Sequence, residues 1–309
     1  MITSVFKKST LPNIILVVVL LLAFFFLYQT THEVYSKISF PLLKSSGSIL
    51  IILLSFFLVN FIAKKNNLTK NSSYIILFFL LFLIVFPSIF INSKLLIANL
   101  FILLAVRRLI SLQTLNMPKE KIFDASIWIF IASLFYFWAI LFLLLVYVSI
   151  FFHVSRDFRN WLLPFVAFFA TAILFIFFSF LFEKNWITQY INEIQLDFQM
   201  PYFSNVLQKS QFLFFGVVGI YFLFTLIFTL TNKPLVLQAS YKKMIFYFLI
   251  GAALFFISPC KKNEILVFTF MPLSLMCTTN IEYSQSKWYQ ELLLFLIILG
   301  SCFCFYFQL

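Results

Sequence analysis

The sequence contains 309 residues, of which 63% are hydrophobic, 21% aromatic and only 10% charged. This composition excludes soluble globular proteins, and the low polar content, with only 5 glycines, excludes disordered and collagen-like chains. An outer-membrane β-barrel is excluded as well, because barrel strands alternate apolar and polar residues, whereas residues 75 to 86 form an unbroken apolar run.

The net charge of +12 does not predict nucleic-acid binding, because the Lys and Arg residues lie in short loops between apolar runs. Such loops are typically retained on the cytoplasmic side of a membrane. We therefore expect membrane lipids as partners and no nucleic acid.

The apolar runs recur along the whole chain and predict an all-α, polytopic transmembrane helix bundle, built as a single integral membrane domain over residues 1–309. Lys7 and Lys8 precede the first run, but no small-x-small cleavage site follows it, so we expect an uncleaved first membrane helix. About eleven segments are predicted, at residues 12 to 28, 48 to 63, 74 to 91, 95 to 111, 119 to 134, 135 to 153, 161 to 182, 211 to 231, 243 to 259, 264 to 280 and 289 to 308.

The stretch from Ile122 to Phe152 is either one long helix or a short helical hairpin that turns near Leu134 and Tyr136. With a hairpin and a cytoplasmic N-terminus, 15 of the 22 Lys and Arg residues lie inside. A single helix gives a less biased split of 13 to 9. The hairpin is therefore favoured, with the N-terminus in the cytoplasm and the C-terminus outside.

Ionisable side chains within apolar segments are costly and often mark a functional site. Asp124 lies near the start of the segment 119 to 134, across a short loop from Arg107 and Arg108. These three residues are candidates for binding a substrate or a lipid phosphate. A structural ion pair between Asp124 and one arginine is the more ordinary interpretation.

A second basic cluster follows the segment 135 to 153. His153, Arg156 and Arg159 lie close together in the chain and are candidate contacts for a lipid phosphate. Anchoring of a cytoplasmic loop explains them equally well.

Two longer polar connections are predicted outside, at residues 29 to 47 and 183 to 210. The first contains Glu33, a candidate catalytic residue that would act as a general base, although a solvated loop carboxylate is the simpler interpretation. In the second, Trp186, Tyr190 and Ile194 have helical spacing, which predicts an amphipathic segment on the outer surface.

No metal site and no cofactor are predicted. The chain has 2 histidines, too few for a His-rich metal centre. The G-x-x-x-x-G-K-[ST] loop that binds nucleotide phosphates does not occur in the sequence.

Four features of the sequence carry a family resemblance: Arg107 and Arg108, KIFDASIWIFIASLFYF from Lys121, SRDFRNWL from Ser155 and the opening MITSVFKKS. In these features the chain resembles, over nearly its whole length, an uncharacterised family of polytopic inner-membrane proteins from Bacteroidota. The middle segment of the chain is distantly similar to multi-span polyprenol-dependent glycosyltransferases. That likeness implies a fold of many helices, a lipid-phosphate sugar donor and an acidic residue in the outer loop after the first span, where this chain has Glu33.

Three functions stay open at this point. The first is a bacterial inner-membrane protein of cell-envelope biogenesis related to lipid-linked glycosyl transfer, with a polyprenyl phosphate as partner. The second is a non-enzymatic scaffold or partner subunit of an envelope complex. The third is a transporter or flippase, which needs a polar path that the apolar segments hardly provide. Whether the protein is an enzyme is left undecided.

Overall fold

The computed structural model describes residues 2–32, 41–182, 186–192, 194, 206–258 and 262–308. These residues form helices and turns with no β-strand among them, which confirms the predicted all-α fold. Helices are the expected result, because a helix pairs its backbone polar groups within one segment and therefore tolerates hydrocarbon. In chain order the α-helices are α1 (Ile2–Phe6), α2 (Leu11–His32), α3 (Pro41–Lys65), α4 (Tyr74–Val85), α5 (Ser93–Ser111), α6 (Pro118–Phe135), α7 (Leu143–His153), α8 (Phe158–Leu181), α9 (Trp186–Asn192), α10 (Val206–Thr229), α11 (Leu235–Ile257), α12 (Val267–Tyr283) and α13 (Lys287–Tyr306).

Eight helical stretches in the described part of the chain are long and apolar enough to cross a membrane. This number is typical of a multi-pass membrane protein. They are Leu11–Thr31, Ser45–Lys65, Ser93–Thr114, Phe158–Leu181, Val206–Asn232, Leu235–Ile257, Asn263–Tyr283 and Lys287–Tyr306.

The predicted number of eleven segments is therefore too high. Helix α4 has 12 residues, about 18 Å at the helical rise of about 1.5 Å per residue, whereas the hydrocarbon core is about 30 Å thick. Helix α6 has 18 residues, but four charged residues lie within its first two turns. Residues Phe137–His153 form another apolar stretch that is too short.

The chain breaks at Tyr136, as the hairpin prediction requires. Helix α6 ends at Phe135, and Tyr136 is extended with φ −147° and ψ 103°. No Pro or Gly causes this break. Tertiary contacts stabilise it, since the Tyr136 hydroxyl donates a 2.8 Å hydrogen bond to Ser258 Oγ and the Tyr136 ring stacks on Phe268 with centroids 5.7 Å apart.

The chain divides into two compact units. Unit 1 comprises Met1–Leu96, Tyr202–Pro234 and Thr269–Leu309, and unit 2 comprises Ile97–Pro201 and Leu235–Phe268. The single membrane domain expected from the sequence stays a prediction.

Unit 1 is built around α4. All 12 residues of this helix are buried, so it has no face toward lipid. It packs against α2, α3 and α13. The ring of Phe82 lies 5.5 Å from Phe215 on α10, and the ring of Phe86 lies 6.0 Å from Phe270 on α12. A helix that is apolar on every side is thus placed where every side is covered.

In unit 2, α6 lies along α8 and α7 packs against α11. Phe142, directly before α7, packs against α11 and the start of α12, with its ring 5.3 Å from Tyr247 and 5.7 Å from Phe268. This packing brings the ends of several helices together and so positions the charged residues described next.

Candidate functional site

The charged residues of unit 2 concentrate at one end of its helices. They lie at the end of α5, the start of α6, the α7–α8 connection and the first turns of α11. We call this set the basic end. It contains eight cationic residues, Arg107, Arg108, Lys119, Lys121, Arg156, Arg159, Lys242 and Lys243, and three carboxylates, Glu120, Asp124 and Asp157.

Two ion pairs connect the elements of the basic end. Arg108 Nη2 lies 2.9 Å from Asp124 Oδ2, and Lys119 Nζ lies 3.2 Å from Asp157 Oδ2. The first is the pairing that the sequence suggested for Asp124. Both pairs are substantially exposed and therefore stabilise the fold only modestly. Each pair neutralises one carboxylate and one cation, so the excess of cations at the basic end is unchanged.

Asp157 also begins helix α8. Its Oδ1 accepts a 3.1 Å hydrogen bond from the backbone N–H of Arg159, the usual arrangement at a helix N-cap. This backbone hydrogen bond, together with the neighbouring Lys119, lowers the pKa of Asp157 below its usual value. The carboxylate is therefore ionised and fixes the position of Arg159.

Two lysines cap the carboxyl end of helix α5. Lys243 Nζ donates a 2.6 Å hydrogen bond to the carbonyl oxygen of Leu109, and Lys121 Nζ donates a 2.7 Å bond to that of Ser111. The last carbonyls of a helix have no partner within it and carry partial negative charge, so ammonium groups are favourable there. Lys243 is fully buried. Its capping role was not predicted from the sequence, which indicated only another cation in a loop.

The remaining predicted residues occupy different environments. Arg156 and Arg159 are exposed, while Arg107 is half-buried. His153, the last residue of α7, is half-buried, and its Nδ1 has no hydrogen-bond partner among the described residues. Unit 2 thus places His153 beside two exposed guanidinium groups in one short connection.

An open apolar groove lies next to this connection, with a volume of about 330 Å³. Its walls come from α7, α8 and α11, so no local sequence pattern predicted it. Tyr147 stacks on Trp161 with centroids 6.0 Å apart, and Lys242 Nζ lies 5.8 Å from the centroid of the Phe152 ring. We call this the aromatic groove; it is lined by Tyr147, Val148, Phe151, Phe152, Trp161 and Phe246.

The aromatic groove and the basic end together form an amphiphilic site. The groove residues Phe151 and Phe152 directly precede His153, and Trp161 follows Arg159 by two residues. Lys242 Nζ lies against the Phe152 ring in the groove wall, so an apolar chain in the groove would have an anionic head near Lys242. Such a site suits a lipid with a charged phosphate group.

The predicted catalytic residue Glu33 lies outside the described residues. The predicted amphipathic segment is described in part, as α9 and Ile194. Within α9, the Tyr190 ring lies 5.3 Å from Phe137 and 5.8 Å from Phe175. This part of the segment covers the end of the α6–α7 hairpin. Among the described residues, no group of three or more His, Cys, Asp or Glu is placed to hold a metal ion.

The chain belongs to DUF6427, a family of unknown function, and the match covers residues 1–309. No curated protein and no solved structure matches the sequence. The membership agrees with the uncharacterised family that the sequence resembles. The likeness to glycosyltransferases and the origin in Bacteroidota stay predictions.

Proposed function

We propose that this member of the DUF6427 family is a multi-pass protein of the bacterial inner membrane that binds a lipid phosphate, such as a polyprenyl phosphate, for cell-envelope biogenesis. The observation that carries the proposal is the contact between the basic end and the aromatic groove, where Lys242 Nζ lies 5.8 Å from the centroid of the Phe152 ring. The aromatic groove suits the apolar chain of such a lipid, and the basic end suits its phosphate.

The charge of the basic end suits the phosphate. Eight cations and three carboxylates leave an excess of five positive charges, and two of the carboxylates are already in ion pairs. Arg156 and Arg159 carry planar guanidinium groups that donate two parallel hydrogen bonds to phosphate oxygens. Both side chains are exposed and reach the headgroup without rearrangement of the helices.

The aromatic groove suits the lipid chain. Its volume of about 330 Å³ is enough for only part of a long chain, and the open side leaves the rest in the surrounding lipid. Aromatic side chains bury much surface with few rotatable bonds, so they bind an apolar chain at low entropic cost.

The finer features of the proposal extend the sequence predictions. We place both the N-terminus and the basic end in the cytoplasm, where cationic loops are retained. Three long spans separate them, so this placement needs α4 to cross as well, as a short helix enclosed by protein. Glycosyl transfer onto or from the bound lipid, with Glu33 as general base, is the enzymatic form of the proposal. A scaffold for envelope-complex subunits that only binds the lipid is its non-enzymatic form.

Transport has weaker support. Buried hydroxyls in the described spans, such as those of Thr171, Thr278 and Ser301, bond to carbonyls of their own helices. Hydroxyls used in this way offer no continuous series of polar contacts to a solute that crosses the bundle.

The test is native mass spectrometry of the full chain, extracted in a mild detergent that retains lipids. We expect an adduct with the mass of a polyprenyl phosphate or another lipid phosphate. The double variant Arg156→Gln/Arg159→Gln should lose this adduct. A matched control, Lys65→Gln/Lys209→Gln, also removes two exposed cations and should keep it.

A groove variant, Trp161→Ala, should lose a long-chain adduct as well, because the chain loses one wall of its binding surface. If all variants retain the same lipids as the natural sequence, binding at this site is refuted. Constant co-purification of other membrane proteins without a lipid phosphate would instead indicate the scaffold function alone.

A further inference from the structure

Unit 1 contains a polar pocket of about 300 Å³ that no sequence pattern predicted. It forms where the start of the chain, the α3–α4 connection and the α12–α13 connection meet. We call it the lysine pocket; the lining residues that matter are Lys7, Lys70, Ser72, Glu282, Lys287 and Gln290. It shares no residue with the basic end or the aromatic groove, so ligand binding here does not depend on the proposed function.

A carboxylate is fixed in the wall of this pocket. Glu282 Oε1 accepts a 2.5 Å hydrogen bond from the Ser72 hydroxyl, and its Oε2 accepts a 2.8 Å bond from the backbone N–H of Lys70. These bonds come from a loop more than 200 residues earlier in the chain. They hold the carboxylate in one orientation, so it is preorganised to accept a further hydrogen bond from a ligand.

All three lysines that line the pocket are exposed, and Lys70 also contacts neighbouring groups of the protein. The Lys70 ammonium lies 4.1 Å above the centroid of the Tyr283 ring and 3.4 Å from the carbonyl oxygen of Glu282. Lys7 and Lys287 are exposed and line the same pocket, although they come from opposite ends of the sequence. Three cations against one carboxylate give the pocket a net preference for anions.

The mixture of charges in the lysine pocket indicates which kind of anion the pocket binds. A bare phosphate would meet the lysines but also the repulsion of Glu282. A phosphate ester with a hydroxyl or amino group avoids this penalty, because that group donates a hydrogen bond to the carboxylate.

We propose that the lysine pocket binds a phosphate ester that carries a hydroxyl or amino group. Lys7, Lys70 and Lys287 hold the phosphate, and Glu282 accepts a hydrogen bond from the second group. This chemistry occurs in small phosphorylated metabolites and in lipid headgroups, and the experiment below distinguishes the two sources.

The full chain in detergent at low salt is titrated with inorganic phosphate and with glycerol 3-phosphate, and the change in thermal unfolding midpoint is followed. We expect saturable binding of glycerol 3-phosphate that is at least several-fold tighter than that of inorganic phosphate. Lys7→Gln/Lys287→Gln should weaken binding of both by about tenfold or more, since two charge-assisted contacts are lost. The neighbouring exposed cation provides the control, and Lys8→Gln should bind as the natural sequence does.

Glu282→Gln tests the second half of the proposal. It keeps the size of the side chain and removes its charge, so the preference for glycerol 3-phosphate over inorganic phosphate should shrink toward onefold. Circular dichroism checks that this variant is folded. Lys287→Gln changes an exposed side chain, so its effect on ligand binding can be measured without substituting a buried residue.

The source of the ligand is tested in nanodiscs with and without phosphatidylglycerol. If a lipid headgroup is the ligand, phosphatidylglycerol should weaken the response to glycerol 3-phosphate in the natural sequence. If the ligand is soluble, both nanodiscs should give the same response. Absence of saturable binding, or a response that survives Lys7→Gln/Lys287→Gln unchanged, overturns the proposal.

Discussion

The ammonium nitrogen of Lys243 lies 2.6 Å from the backbone carbonyl oxygen of Leu109, inside unit 2. A buried lysine is costly, and here its hydrogen bond completes the end of helix α5. We expect Lys243→Met to lower the free energy of unfolding by about 1–3 kcal/mol, because the carbonyl is left without this partner. Denaturant unfolding in detergent measures the change.

The adjacent residue provides the control for this prediction. Lys242 is exposed, so Lys242→Met should change stability by less than about 0.5 kcal/mol. Equal effects of the two substitutions would show that the Leu109 hydrogen bond contributes nothing.

The ion pair between Arg108 and Asp124 predicts a small structural role for Asp124. The two side chains are 45% and 34% exposed, so Asp124→Asn should cost less than about 1 kcal/mol of stability. Lipid-phosphate binding should be kept or strengthened, because the basic end gains net positive charge. Native mass spectrometry measures the binding, and loss of the lipid adduct would show that Asp124 contacts the ligand.

These residues show how far the sequence can be interpreted alone. The spacing of Asp124 and the arginines predicted an ion pair, since a short loop brings the two helix ends together. The role of Lys243 was not predictable, because it depends on α11 approaching α5 from more than 130 residues away. For the same reason the aromatic groove and the lysine pocket were missed, as each combines segments distant in the chain.

The number of spans was overestimated for another physical reason. An apolar run reports that a segment avoids water, but it does not distinguish contact with lipid from contact with protein. Helix α4 is as apolar as a membrane span, yet its 12 residues are all buried by neighbouring helices.

Close packing in unit 1 predicts an asymmetry between two glycines. A Cβ atom at Gly300 would overlap the far end of the Phe214 ring, whereas a Cβ atom at Gly216 would meet nothing within 4 Å. The half-buried Phe214 side chain can move, so Gly300→Ala should cost up to about 1 kcal/mol through overpacking. Gly216→Ala should be neutral or stabilising, because alanine favours the helix.

A second substitution identifies the cause of the Gly300 effect. Phe214→Leu removes the ring, so adding it to Gly300→Ala should recover part of the lost stability. Thermal unfolding of the four variants in one detergent gives the comparison. If Gly300→Ala is as stable as Gly216→Ala, the packing at this contact is looser than described.

Lys233 predicts a dependence of stability on alkaline pH. Burial lowers the pKa of Lys233 from 10.5 to about 8, Glu282 opposes this shift, and Lys70 adds to it. Its ammonium lies 3.0 Å from the centroid of the Tyr283 ring. Between pH 8 and 10.5 the unfolded chain holds this proton more strongly than the folded chain, so the contribution of Lys233 to stability rises with pH.

The measurement compares the natural sequence with Lys233→Met from pH 7.5 to about pH 11.5. The difference in thermal midpoint should move in favour of the natural sequence as the pH rises, and it should level off above about pH 10.5. A difference that stays constant, or moves the other way, contradicts the lowered pKa.

The break at Tyr136 supports a topology that reporter fusions can test. If the α6–α7 hairpin turns at the outer side, fusions after Leu134 and after Phe182 should both report an extracytoplasmic location. A fusion after Thr114 should report a cytoplasmic location. Opposite locations for Leu134 and Phe182 would contradict the hairpin topology and the side assigned to the basic end.

The enclosure of α4 has a consequence for how the protein is made. The helices that cover it include α2 and α3, which are synthesised before it, and α10, α12 and α13, which leave the ribosome more than 120 residues later. Until those helices arrive, α4 must be sheltered by lipid or by the insertion machinery, and unit 1 cannot close around it. Premature termination before α13 would therefore leave an incomplete intermediate, which quality-control proteases are expected to degrade.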